Sequence, residues 1–347
     1  MGKLLLIGSG SVHTYNYYKL IENYFDKILL ITDVIRPEFG SIVSAKGDFS
    51  IRKPIKAYKN YLFIKNKIRQ FNPDIIHVHQ ANSTSFLSLK AARKSGIPVI
   101  VTAWGSDVLI AREQSRLIKK MIFYNLKNAD YLTADSKYVA SKINEQVGET
   151  KNEIVIANFG VDDFYQKIPK ENIIYSNRLH NKLYRIDDVI KAFFRFTKTN
   201  TDDWKLVIAG EGSETENLKK LVKELQISDK VEFVGWLNKE ENHKYYNKAK
   251  IFVSFPESDA TAISLLEAMQ AGCFPVVYDL PANREWIDDG ENGIIVKDLN
   301  ENFLQIALMS DFQKAMAINQ ELIQMHGTKE VNKNKFFELY KKILPKK

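Results

Sequence analysis

Short apolar runs bounded by turn residues return throughout this chain, each followed by a longer polar or amphipathic segment. In the first half they read KLLLIG, KILLITD, PDIIHVH and GIPVIVTAW; in the second, IIYSNRL, KLVIAG, KVEFVGWL, KIFVSF, FPVVYDL and GIIV. Runs this apolar and this short fit strands buried on both faces, which parallel sheets require. Strand–helix alternation predicts an α/β protein, and its presence in both halves predicts two parallel sheets with helices on each face. At 347 residues the chain is long for one core and comfortable for two domains.

The residues are 45% hydrophobic and 27% charged, as in ordinary soluble globular proteins. The opening LLLIG is too short and wrongly flanked for a signal peptide, and no apolar run reaches spanning length. The expected place is therefore the cytoplasm, or a membrane surface without crossing it. A lone cysteine, Cys273, forms no internal disulfide, which agrees with a reducing compartment; within a buried strand it reads as a small core residue. The net charge of +8 favours anionic partners such as nucleotides, polyphosphates or acidic lipid.

One stretch is richer than the rest: Phe255 to Val296, FPESDATAISLLEAMQAGCFPVVYDLPANREWIDDGENGIIV. Ser258 or Asp259 is placed to N-cap a helix, and Gly272 stands where that helix would stop in the left-handed conformation. Glu267 is the anomaly, a carboxylate inside the apolar run ISLLEAM. Either it faces solvent or a neighbouring Lys, or it is kept for a ligand. Asp259 precedes it by a span that would rise ~12 Å in a helix, roughly a diphosphate with a sugar ring at each end. Between the acids, the amides of Thr261, Ala262, Ile263 and Ser264 would sit at a helix N-terminus suited to phosphate.

This stretch resembles the donor-binding motif of the family 4 glycosyltransferases, in which two spaced acids precede EAM-x-x-G-x-P-V-V. Asp259 and Glu267 form the pair here, and the likeness runs on through AGCFPVV and DDGENGIIV. The resemblance implies a GT-B fold: two Rossmann-like domains facing a cleft, with the nucleotide sugar on the second. It also implies that Glu267 holds the ribose hydroxyls and that Asp259 lies beside the transferred sugar. The first acid is more often Glu, and Ala262 stands where Gly is usual. In SNRLHNKLYRIDDVIKAF, Arg178 takes the position that grips the donor diphosphate, for which a planar, permanently charged fork is suited. Its usual partner Lys is replaced by Tyr184, with Lys182 and Arg185 near enough to substitute.

By the same resemblance, VIAGEGSETENLKKL is the glycine–acid–glycine turn beside the donor. Gly210 and Gly212 would allow close backbone approach, and Glu211 either reaches the donor or caps the next helix. KVEFVGWL resembles the segment whose backbone after Val234, toward Trp236, reads the nucleobase. Glu285 of PANREW either touches the donor or caps the next element.

The first half carries weaker signals. Gly8-x-Gly10 follows a strand, but the third glycine of a dinucleotide fingerprint is missing; a helix is expected from Asn16 to Phe25. In the resembling family this turn faces the donor diphosphate, making Ser9, Gly10 and Ser11 candidates, and His13 matches a His-Thr that opens some members. His77 and His79 point to one face of their strand. They could bind metal, yet no third ligand follows at a typical spacing, so His79 reads as lining the acceptor cleft at a strand's carboxyl end. Trp104 replaces a His that in many relatives contacts the donor sugar. Asp107 is either a helix N-cap or a ligand for an acceptor hydroxyl.

Residues 51–70, IRKPIKAYKNYLFIKNKIRQ, are basic, interleaved with aromatics and free of acid. They read either as a solvated helix packing Ile55, Leu62 and Ile68 inward, or as a surface for an anionic bilayer; no recognised module supports nucleic acid. The resemblance puts the first domain at 1–167, the second at 168–325, and a helix crossing back to the first in 326–347. There Phe336, Leu339, Tyr340 and Ile343 recur at helical spacing.

The activity implied is retaining transfer from a nucleotide sugar, UDP before GDP, without a metal or other cofactor. The implied acceptor is a saccharide or lipid-linked saccharide of a bacterial surface glycan. An epimerase on the same fold and a catalytically silent binding subunit stay open. The altered Trp104 and Tyr184 positions keep the silent subunit open, while Asp259, Glu267 and Arg178 argue against it. An oxidoreductase has the least support, its fingerprint being incomplete.

Overall fold

The computed structural model describes residues 2–40 and 42–344. They form two compact units, one running to Phe159 and resuming at Asn332, the other spanning Gly160–Val331. The expected boundary at 167 lies inside the second unit, and of the 326–347 segment the residues from Asn332 onward group with the first.

The first unit holds seven strands, β1 (Lys3–Ile7), β2 (Lys27–Thr32), β3 (Ser44–Lys46), β4 (Ile75–His79), β5 (Val99–Ala103), β6 (Tyr131–Ala134) and β7 (Val155–Ile156). They pair in the order β3-β2-β1-β4-β5-β6-β7, every pair parallel. Between them run α1 (Val12–Ile21), α2 (Pro54–Phe71), α3 (Ser83–Ala92), the short α4 (Ser106–Leu109), α5 (Arg116–Asn128) and α6 (Lys137–Val147). β4 and β5 are buried throughout, as sheet centres covered on both faces must be.

Two expectations need correcting here. The first helix starts at Val12 rather than Asn16, because the Ser11 hydroxyl accepts from the Thr14 amide and nucleates it early. In α2 the buried residues are Asn60, Ile64 and Ile68, while Ile55 is 75% exposed. Ile64 and Ile68 are one helical step apart and share a face, which Ile55 does not.

The second unit holds β8 (Glu171–Ser176), β9 (Lys205–Ala209), β10 (Val231–Gly235), β11 (Ala249–Ser254), β12 (Phe274–Tyr278) and β13 (Ile294–Val296). Their order is β10-β9-β8-β11-β12-β13, again all parallel. The helices are α7 (Ile186–Thr199), α8 (Thr215–Glu224), α9 (Lys239–Lys248), α10 (Ile263–Gln270), α11 (Phe303–Ala307) and α12 (Phe312–Leu322). Strand residues alternate between two cores: Leu206 and Ile208 join Phe193 and Phe196 of α7, while Val207 and Ala209 join Tyr246 of α9 and Leu266 of α10. Each fully buried Leu, Ile, Val or Phe among them contributes roughly 1.5–3 kcal/mol. Gly272 ends the α10 segment at φ +76°, in the conformation its position predicted. Cys273 is buried, as expected of a core residue.

The last helix, α13 (Lys329–Ile343), buries Phe336, Leu339 and Tyr340. Tyr340 packs in the first unit against Tyr24 and Phe25, and its hydroxyl bonds Tyr17 and, at 2.9 Å, His77 Nδ1.

Candidate functional site

In the second unit β8 and β11 are neighbours running in the same direction. The loops leaving their carboxyl ends, which carry Arg178 and Asp259, therefore emerge side by side. The Arg178 guanidinium donates from Nη2 to Asp259 Oδ2 at 2.5 Å and from Nη1 to Ser264 Oγ at 2.8 Å. It also lies 4.4 Å over the Tyr184 ring. Burial works against the Arg178 charge, but Asp259 and Tyr184 beside it prevail and hold its pKa above the ordinary value.

This pairing overturns the expected helix cap. Neither Ser258 nor Asp259 caps α10, which opens at Ile263 behind an extended Ala262 with no side-chain cap. Asp259 is instead turned to Arg178 through Oδ2, while Oδ1 accepts from the Ala260 amide at 3.0 Å. The two acids therefore do not share one helix: 259–262 is a loop, and the ~12 Å helical rise does not apply. An uncapped first turn with Arg178 bonded to its Ser264 is a cationic, amide-rich place suited to a diphosphate.

Glu267 lies one turn further along α10, half-buried. Burial lifts its carboxyl to about 7, against a hydrogen bond from Tyr246 and the nearby ammonium groups of Lys239 and Lys329. Both lysines are paired with Asp162. Tyr246 is itself fixed from behind: it accepts from Asn177 Nδ2 at 2.7 Å, and its hydroxyl lies 3.1 Å from the Ser264 carbonyl. Asn242 Oδ1 receives both Asn177, at 3.0 Å, and the Tyr175 hydroxyl, at 2.6 Å. A carboxylate held on such a scaffold can accept two hydroxyls of a ribose.

Gly210 and Gly212 are required where the chain after β9 crosses the Arg178 loop. A Cβ on Gly210, at φ +106°, would lie 2.6 Å from the Arg178 carbonyl, and one on Gly212 2.3 Å from that of His180. Glu211 does not cap α8, whose N-cap is Glu214 without a side-chain bond. The Glu211 carboxylate instead rests against Gly235, and its carbonyl accepts from the His180 amide at 3.1 Å. Val234 is half-buried in β10, and Trp236 just beyond is 70% exposed.

Lys182 is exposed in a single 3₁₀ turn, and Arg185 stacks 4.1 Å over Tyr278 and donates to the Pro256 carbonyl at 3.3 Å. The residue that meets Arg178 in this segment is Tyr184. Glu285 sits half-buried in another 3₁₀ turn, Asn283–Glu285.

In the first unit the candidates gather at the carboxyl ends of β1, β4 and β5. Gly10 donates its amide to Asp33 Oδ1 at 2.7 Å, Ser9 bonds Ser11, and Ser11 caps α1. His13 is exposed and nearly parallel to Phe159, at 5.5 Å, and to Trp104, at 6.3 Å; Trp104 and Phe159 stack at 4.3 Å. His79 is only 2% exposed, edge-on to Tyr17 at 4.3 Å and to Trp104 at 5.4 Å. It therefore packs behind Trp104 rather than lining a surface. Burial drives its pKa to about 3, so the ring is neutral.

His77 and His79 do face the same side. The His77 nitrogens are spent on Tyr17 and Tyr340 and, at 2.6 Å, on Thr102. Asp107 is not the helix cap that was one of its two expected roles. Gly105 is the N-cap of α4, and Asp107 is buried, accepting the Ala81 amide at 2.7 Å and the Trp104 amide at 3.2 Å. It locks the loops after β4 and β5 together.

Sequence reasoning missed Tyr246, Asn177, Tyr184 as a ring beneath Arg178, and Phe159. Tyr246, Asn177 and Phe159 act through contacts distant along the chain, and their local patterns carry no sign of it; Tyr184 is only six residues from Arg178, but its position suggested a lost lysine rather than a ring.

The glycosyl transferases group 1 family matches residues 161–310, and the glycosyl transferase 4-like family matches residues 3–136. The chain is 26% identical over 239 residues to N-acetyl-alpha-D-glucosaminyl L-malate synthase of Bacillus anthracis, covering 65% of this chain and 61% of that one. It is 24% identical over 262 residues to alpha-monoglucosyldiacylglycerol synthase of Streptococcus pneumoniae, covering 67% and 58%. The alignment thus spans less than two thirds of either relative. The crystal structure of Anabaena HepE in complex with UDP shares the fold, with a TM-score of 0.84 at 12% identity over 99% of this chain and 100% of that one. With one family match on each parallel-sheet unit and that two-domain architecture repeated, the chain belongs to the family 4 glycosyltransferases of GT-B fold.

Proposed function

We propose that the protein transfers a glycosyl group from a nucleoside diphosphate sugar, with UDP as the nucleotide, to a saccharide or lipid-linked saccharide of a bacterial surface glycan. The observation that carries this reading is the Arg178–Asp259–Ser264 group at the uncapped start of α10, with Glu267 one turn on. The donor diphosphate takes the place of Asp259 on Arg178, and Glu267 accepts the ribose hydroxyls. As the bond from the sugar's anomeric carbon to phosphate breaks, charge builds on the diphosphate, where Arg178 and the α10 amides lower its energy. An acceptor oxygen bonds that carbon on the face the diphosphate leaves, its proton passes to the departing phosphate oxygen, and configuration is retained. Asp259, freed from Arg178, orients the sugar. The diphosphate charge is met by protein groups, with no metal invoked.

UDP as the nucleotide is supported by the UDP held in the HepE structure, and a lipid acceptor by the diacylglycerol in the name of one relative. The aromatic group of His13, Trp104 and Phe159 is suited to the apolar face of an acceptor sugar. Contact of the basic 51–70 segment with an anionic membrane, on its cytoplasmic side, would bring the enzyme to such an acceptor. No helix among the described residues is long and apolar enough to cross a membrane.

The test is a panel of UDP-, GDP-, ADP- and TDP-sugars incubated with polyprenyl-linked and soluble saccharides. Nucleoside diphosphate release and the anomeric proton coupling of the product are read together. Acceptor-dependent UDP release with a retained anomer is expected. No release from any donor would refute the transferase reading, and conversion of the donor sugar without acceptor would replace it with epimerisation.

A further inference from the structure

Three neighbouring helices of the first unit carry no carboxylate. α2, α3 and α5 contain Lys and Arg but not one Asp or Glu, and α3 packs against both of the others. Soluble surfaces ordinarily intersperse the two signs of charge.

A groove of about 540 Å³ runs between α2 and α3, and its lining includes Tyr58, Tyr61, Lys65, Lys90, Arg93 and Lys94. Two of these cations are held over aromatic faces. The Lys90 ammonium lies 4.3 Å over Tyr124 of α5 and 5.5 Å over Phe86 of α3, and that of Lys65 lies 5.7 Å over Tyr61. Ring faces attract a cation without neutralising it, so the charges are positioned and still open to an anion. Large apolar side chains stand in water on the flanking helices: Ile55 at 75% exposure, Tyr58 at 62%, Leu117 at 74% and Phe123 at 47%.

We infer that the joint face of α2, α3 and α5 docks on an anionic bilayer, with the α2–α3 groove receiving the phosphate of a lipid headgroup. The inference rests on the proposed membrane contact of 51–70 and deepens it, adding α3, α5 and a defined headgroup site. A nucleic-acid backbone would answer the charge equally, but it has no use for exposed Ile55, Leu117 and Phe123. At a bilayer those side chains enter the boundary between headgroups and acyl chains.

The experiment is sedimentation of the full chain with vesicles of phosphatidylcholine alone or with about 30% phosphatidylglycerol, and with duplex RNA as a competitor. Each groove cation near an acidic surface is worth roughly fivefold in affinity, so Lys65→Glu with Lys90→Glu should weaken binding to the acidic vesicles by at least tenfold. A control with the same charge change on the second unit, Lys220→Glu with Lys223→Glu, should weaken it by less than about twofold. Leu117→Ser should weaken binding while leaving its salt dependence unchanged. Thermal protection by UDP is measured on every variant. It reports folding and the donor site, so loss of vesicle binding and failure of the transferase reading are seen separately. Equal binding to both vesicle types, equal losses in groove and control variants, or RNA displacing the protein from vesicles would each overturn the inference.

Discussion

Removing the negative charge of Asp259 should cost much more stability in the empty site than in the occupied one. In the empty site the Arg178–Asp259 pair has side chains only 10% and 21% exposed, and Arg178 also touches Ser264 Oγ and the Tyr184 ring. Deleting one member of a fully buried pair costs about 3–5 kcal/mol, because the other charge is stranded. Here the remaining exposure and the two neutral contacts reduce that to about 2 kcal/mol, or roughly 4–8 °C in Tm for a unit of this size. Asp259→Asn keeps the shape and an oxygen for the Ala260 amide, so it isolates the charge. When a diphosphate occupies Arg178, the variant regains a counter-charge, whereas the native protein must first give up its own pair. UDP should therefore protect Asp259→Asn more than the native protein and shrink the Tm gap by at least half, even as sugar transfer falls. Differential scanning calorimetry across a UDP titration measures both quantities. An equal Tm gap with and without saturating UDP would refute the idea that Asp259 and the diphosphate exchange places on Arg178.

Other perturbations have defined outcomes. Burial raises the Glu267 carboxyl from its ordinary 4.5 to about 7, so between these values the folded chain keeps a proton that the unfolded chain has released. Stability is therefore lost as pH rises through that window, and Glu267→Gln should remove on the order of 2 kcal/mol of the loss in urea unfolding at pH 5 and pH 8. Tyr184→Ala takes away the ring beneath Arg178 and should weaken UDP binding about 5- to 30-fold by calorimetry, while Tyr184→Phe should stay near the native value. In Gly210→Ala a Cβ at φ +106° would meet the Arg178 carbonyl. A loss of about 2 kcal/mol or more in unfolding free energy is expected, together with weakened UDP binding.

Strand–helix alternation made both sheets legible, because a strand buried on two faces announces itself in its own residues. Gly272, Cys273 and the docking face of α13 were legible for the same reason: each depends on a local pattern. Asp259 was not. Its spacing and chemistry suit a helix cap, and only the adjacency of β8 and β11 reveals that Arg178 claims it. Asp107 misled in the same way, since the amides it satisfies belong to the ends of two different strands. In α2 the unbroken run YLFI puts apolar side chains on every side of the helix, so periodicity alone did not decide which of Ile55, Leu62 and Ile64 faces inward. Tyr246 was invisible because its part in the site is to stand behind Glu267, and nothing in KYYNKAK points to that carboxylate.

The proposed activity depends above all on the second unit binding a nucleoside diphosphate through Arg178, the start of α10 and Glu267. Thermal unfolding with UDP, GDP, ADP and TDP, on the native chain and on Glu267→Ala, tests it most directly. A nucleotide at ~100 times its dissociation constant stabilises the folded state by about 2.7 kcal/mol. Such a shift is expected with UDP in the native chain, with its loss or marked reduction in Glu267→Ala. No shift with any nucleotide, or one that Glu267→Ala leaves intact, would contradict it.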